Sequence, residues 1–110
     1  MENTEVRTYE SYYLCLAQNN NLILPVYLPE SASIAEGDLV LFHWNGRTTQ
    51  ATIQFAELCD MYSDLWRAIV IAKNMLPIMV SKYAQPKQTE WINVDWNADM
   101  DDSVDKDTAN

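Results

Sequence analysis

The chain has 110 residues, 48% of them apolar, 21% charged and 11% aromatic, and its 16 acids against 7 bases give a formal charge of −9. A chain of this size supports one hydrophobic interior rather than two, and its apolar fraction excludes disorder throughout, because enough surface can be buried to offset the entropy of ordering. The bases stand singly along the chain, so no clustered surface for neutralising phosphates is encoded and direct nucleic-acid binding is disfavoured.

The first apolar run, Val6 to Ala17, is rich in tyrosine and predicts a strand closed by a turn at Gln18-Asn19-Asn20-Asn21. Leu22 to Leu28 predicts its hairpin partner, with Pro25 favouring an edge position or a bulge because proline cannot donate to a ladder. A connection from Pro29 reaches Gly37-Asp38, and Leu39 to Trp44 reads as a strand. Asn45-Gly46 follows directly and predicts a type I′ hairpin turn, whose two central residues need positive φ. The partner is Thr48 to Phe55, where alternation puts Ile53 and Phe55 on the core face.

Over residues 58–76 the period changes. Met61, Leu65, Ala68, Ile69, Ala72 and Leu76 recur at spacings of three and four, which predicts one helical stripe, capped by Ser63 or Asp60 and ended by Pro77. A buried strand over Ala68 to Ala72 is the competing reading. Ile78 to Val80 offers a short final strand or a turn, and a boundary falls near Gln85. The expected organisation is a barrel-like unit over 1–84, a linker and aromatic segment over 85–98 and an acidic tail over 99–110. The tail has no apolar face to bury, so its removal is expected to leave the fold intact.

The pattern from Leu24 to Ile53, a proline-containing strand, a loop, Gly-Asp-Leu-Val-Leu-Phe, then Asn-Gly and a second strand, resembles the strand order of small SH3-like barrels. It is similar in pattern to the N-terminal barrel of primosomal helicases, with no nucleotide-binding residue matched. The fold expected is therefore α+β: a small SH3-like, partly open β-barrel or strongly bent antiparallel sheet with one covering helix. Trp91 to Asn97 followed by acids resembles the point where CS-domain co-chaperones leave their sandwich for an acidic tail. In an extended chain Ile92, Val94 and Trp96 share one face. The segment is expected to add a strand to its own sheet, the other reading being an aromatic anchor for a partner.

Chemistry-bearing motifs are sparse. His43 is the only histidine, with no nucleophile motif nearby, and reads as a structural or surface residue; Glu36, Asp38 and Glu57 are the carboxylates an enzyme would have to bring to it. Two glycines cannot build a phosphate cradle. Asp95, Asn97, Asp99 and Asp101 have the opening spacing of a calcium loop, but Met100 stands where glycine is required and Lys106 where a closing glutamate is required. No cofactor or metal is expected. Cys15 and Cys59 form no paired motif and read as reduced structural thiols. With no basic leader near Met1 and no apolar run approaching roughly 18 residues, the expected setting is soluble and cytoplasmic.

Residues 90–110 carry seven acids (Glu90, Asp95, Asp99, Asp101, Asp102, Asp105, Asp107) against Lys106, a net −6, leaving −3 for the rest. The expected function is a non-enzymatic module or accessory protein that binds another protein, with homo-oligomerisation left open. Trp91, Trp96, Asp99, Asp101 and Asp102 are the expected partner-binding residues. The alternative is a nucleic-acid mimic of the anti-defence kind, its acids competing for the basic cleft of a DNA- or RNA-binding protein.

Overall fold

A computed structural model describes residues 11–88 and 90–96. Strands β1 (Tyr12–Asn19) and β2 (Leu22–Pro29) form the expected hairpin, in register from Tyr12 opposite Pro29 to Asn19 opposite Leu22. Only Asn20 and Asn21 remain for the turn, and Asn20 takes φ 57°, a conformation asparagine tolerates better than most residues. The part of the expected first strand from Val6 to Glu10 lies outside the described residues.

Strands β3 (Leu39–Trp44) and β4 (Arg47–Cys59) form the second hairpin, closed by Trp44 opposite Arg47. Asn45 and Gly46 have φ 53° and 77°, the two positive values that a primed turn requires. β4 is longer than its alternation suggested: its first half pairs with β3 and its second half with β1, Thr52 facing both Leu39 and Gln18. This shared strand turns the sheet's corner.

A bulge on β4 corrects one expected core position. Ala17 pairs with Ile53 and Leu16 with Phe55, so Gln54 is an extra residue and the parity of inward side chains reverses beyond it. Ala51 and Ile53 are buried before the bulge, and Ala56, not Phe55, packs against the core after it.

Strand β5 (Ile78–Ala84) pairs antiparallel with β3 and, through Val26–Ile78 and Tyr27–Met79 alone, parallel with β2. This closes five strands in the order β2-β1-β4-β3-β5, a mixed barrel consistent with the small SH3-like class. Pro25 stands one residue before the parallel pairing, where among the described residues β2 has no strand partner on its β5 side and the missing N–H costs no ladder bond. A second bulge lies on β5: Phe42 pairs with Val80 and Leu41 with Lys82, so Ser81 is the extra residue, and its hydroxyl donates to the Leu41 carbonyl at 3.0 Å.

The barrel interior is filled by Val26, Leu28, Val40, Phe42, Ile53 and Val80, with Cys15 and Ala17 from β1. The loop before β3 is tied to β4 by polar groups. Asp38 is buried, its carboxylate accepts the Ala35 N–H at 3.0 Å, and its carbonyl accepts the Ile53 N–H at 2.8 Å. Gly37, at φ 95°, donates to the Ile53 carbonyl at 2.9 Å in a conformation that resists a side chain.

Among the described residues one α-helix, α1 (Asp64–Lys73), covers part of the outer surface. It resolves the helix-or-strand alternative over residues 68–72 in favour of helix, but shortens the expected span at both ends. Leu58 and Cys59 belong to β4, and the C-cap is Asn74, in the left-handed region at φ 57°, rather than Pro77. The expected stripe is corrected too. Trp66 is the helix's buried residue, with Leu65, Ile69, Val70 and Lys73 half-buried, whereas Met61, Ala68, Ala72 and Leu76 are exposed. Leu65, Trp66, Ile69, Val70 and Ile71 put apolar side chains all round the helix, so periodicity alone does not choose a face. The indole, with the largest area to bury, decides it.

Candidate functional site

The aromatic segment returns to its own barrel. Strand β6 (Ile92–Asn93) pairs with β5 through Lys82–Asn93 and Tyr83–Ile92, and the Val94 N–H continues the ladder by donating to the Ser81 carbonyl at 3.1 Å. Trp96 then lays its ring 5.0 Å from Tyr27 and 6.3 Å from Tyr12, and its Nε1–H donates to the Val80 carbonyl at 3.1 Å. The expected strand addition is therefore present. Trp96 contacts its own chain, and Trp91 is half-buried.

Four rings gather on the outside of the β1–β2 hairpin. Tyr12 and Tyr27 meet edge to face at 5.3 Å between Trp66 at one side, 6.0 and 5.4 Å away, and Trp96 at the other. Leu14, fully buried and opposite Tyr27 in register, shares their face of the hairpin. At these separations the rings pack on one another, and burial raises the Tyr27 hydroxyl above its ordinary pKa. Sequence reasoning singled out Trp96 but not its partners. The signal was present in the alternation of Tyr12 with Leu14 and in Tyr27 on the facing strand; what the sequence lacked was the pairing that brings Trp66 and Trp96 to them.

An open cleft of about 380 Å³ lies beside β5, with His43, Met79, Ser81, Val94 and Trp96 among its walls. His43 is exposed, and its Nδ1 stands 3.4 Å from the Thr48 hydroxyl. Among the described residues no carboxylate lines the cleft. Asp38 is five residues from His43 on the same chain segment, about 17 Å along an extended strand, and is committed to the loop before β3. Glu36 and Glu57 are exposed elsewhere. The cleft can receive an apolar group, but the carboxylates considered from sequence do not come to His43, so it offers no acid–base pair built from them.

The remaining expected site residues, Asp99, Asp101 and Asp102, lie outside the described residues, as does most of the calcium-loop spacing. Among the described residues no group of three or more His, Cys, Asp or Glu side chains is placed to hold a metal ion, and no helix is long and apolar enough to cross a membrane. Both cysteines are free thiols, Cys15 buried and Cys59 half-buried. Burial, with smaller contributions from the Asp38 carboxylate and Cys59, pushes the Cys15 thiol from 9.0 up to about 12, which makes it a poor nucleophile.

A run of exposed apolar residues was not singled out from sequence. Ile71 and Leu76 are each 72% exposed, and Met79 is exposed as well. All three fall in residues 71–79, the last turn of α1, the connection and the start of β5.

Comparison with known proteins returns no matching family model, no matching curated protein and no matching solved structure.

Proposed function

We propose that this chain is a small non-enzymatic module that binds another protein, and that residues 71–79 carry the apolar part of the contact. The observation behind this reading is the exposure of Ile71 and Leu76, each 72%, within a few residues of Met79. Scattered apolar side chains on a surface are ordinary, but large ones grouped in one stretch are what an interface buries. Burying a single Ile or Leu side chain stabilises an association by roughly 1.5–3 kcal/mol before the costs of ordering. The scarcity of bases and the acids after residue 90 favour a partner with a basic surface, which would steer encounter.

The test is affinity capture from the native host, comparing the natural chain with an Ile71→Lys/Leu76→Lys double variant. Loss of the same captured protein, at unchanged thermal stability, is the expected result. Equal recovery by both chains would remove residues 71–79 from the interface. Asp99, Asp101 and Asp102 changed together to Asn should then slow association with the recovered partner more than they speed dissociation, and more strongly at low salt. Capture of a nuclease or other DNA-binding protein, released by competing DNA, would favour the nucleic-acid mimic instead.

A further inference from the structure

We propose that residues 92–96 are a releasable strap, which closes the barrel's weakest seam when docked and bares the edge of β5 when it lifts. The seam is the parallel pairing of β2 with β5. It consists of Val26–Ile78 and Tyr27–Met79 alone, whereas β1 and β4 pair over seven positions. Parallel pairing is also slightly weaker per residue than antiparallel pairing. Trp96 bridges this seam from outside. Its ring packs against Tyr27, a seam residue of β2, and its Nε1–H binds the carbonyl of Val80, which directly follows the seam on β5.

The strap itself is held lightly. Its ladder is two residue pairs and the Val94–Ser81 backbone bond, to which the Trp96 indole bond, the Trp96 ring contacts and the packing of Val94 on the core add, and Ile92 and Asn93 are both exposed. Segments held at an edge by solvent-exposed backbone hydrogen bonds open at free energies below that of global unfolding. When this one opens, the Ser81 carbonyl loses its partner, Lys82 and Tyr83 lose their β6 neighbours, and the outer face of Tyr27 is uncovered. An unpaired edge of this kind accepts another extended segment. The bulge at Ser81 keeps the opening local, because its hydroxyl remains bonded to the Leu41 carbonyl and β5 stays fixed to β3.

Native-state hydrogen exchange on the full chain tests this at low denaturant. The expected result is that the Val94 amide and the amides of Tyr27 and Val80 exchange as one group, at least tenfold faster than those of Leu14 and Glu57, which stand opposite each other on the β1–β4 pairing. Trp96→Ala should accelerate the seam group a further tenfold and leave the β1–β4 amides unchanged, and Trp96→Phe, which keeps a ring but loses the donor, should fall between. Seam amides that exchange only with global unfolding in the natural chain would overturn the strap, and that measurement stands even if Trp96→Ala does not fold. Equal acceleration of every amide by both variants would also overturn it, since Trp96 would then support the whole barrel rather than the seam.

Discussion

The Ser63 hydroxyl accepts the Trp66 N–H at 3.1 Å, so the residue that caps α1 also fixes the backbone of the helix's buried anchor. The cap and the indole act on one turn: Ser63 satisfies an N–H that the helix cannot, and the turn so formed aims Trp66 at Tyr12 and Tyr27. Ser63→Ala is expected to lower stability by about 1 kcal/mol and Ser63→Asp to restore most of it. Urea denaturation monitored by tryptophan fluorescence would measure both.

Whether the expected stripe or Trp66 packs inward can be read from a pair of substitutions. Trp66 is 8% exposed and Leu76 is 72% exposed, although the sequence spacing put Leu76 on the inward stripe. Trp66→Ala should cost about 3 kcal/mol or more, as truncation of a buried aromatic does, and Leu76→Ala should stay within about 0.5 kcal/mol. Comparable losses from the two would restore the original stripe.

Gly46 has φ 77° and open space around the position a Cβ would take, so a substitution there is opposed by backbone conformation and not by collision. Gly46→Val should destabilise by about 1 kcal/mol or more. Gly46→Asn should be milder, because asparagine visits the left-handed region more readily. Thermal melting of the two variants separates the conformational cost from simple loss of glycine.

The Cys15 thiol gives the fold an alkaline limit. Its pKa rises from 9.0 in the unfolded chain to about 12 in the folded one, so below pH 9 the protonated thiol is compatible with both states. Above pH 9 the unfolded chain releases the proton and the folded one does not, and stability falls as pH rises toward 12. Between pH 7 and 10.5 this single group is expected to cost about 2 kcal/mol. Tyr27, raised in the same direction by burial, adds to the loss at the upper end. Cys15→Ala should flatten the pH dependence of the urea midpoint over that interval, and an unchanged slope would refute the assignment to Cys15.

Legibility followed the range of the interactions concerned. Asn45-Gly46 and the β1–β2 hairpin were readable, and the helix cap was narrowed to Ser63 or Asp60, because each depends on the φ, ψ and hydrogen-bonding preferences of a few adjacent residues. The bulges at Gln54 and Ser81 were not readable, since an extra residue is defined only by counting against the partner strand. Phe55 was assigned inward for that reason. The site divides in the same way. The shared face of Ile92, Val94 and Trp96 was visible as an alternation, but its docking on β5 required the ladder to Ser81 and the carbonyl of Val80.

The sequence by itself determined the class of the protein: one small acidic α+β domain, with strands where β-branched and aromatic residues gather and turns where Asn and Gly permit positive φ, while residues 68–72 stayed open between helix and strand. Only the tertiary structure decided how that barrel closes and what its surface offers. The parallel meeting of Val26 and Tyr27 with Ile78 and Met79 joins segments far apart in the chain, and no local pattern encodes such a pairing. The same closure settles which apolar residues remain outside, because α1 can bury one face, and in burying Trp66 it leaves Ile71 in water, with Leu76 exposed in the connection beyond its cap.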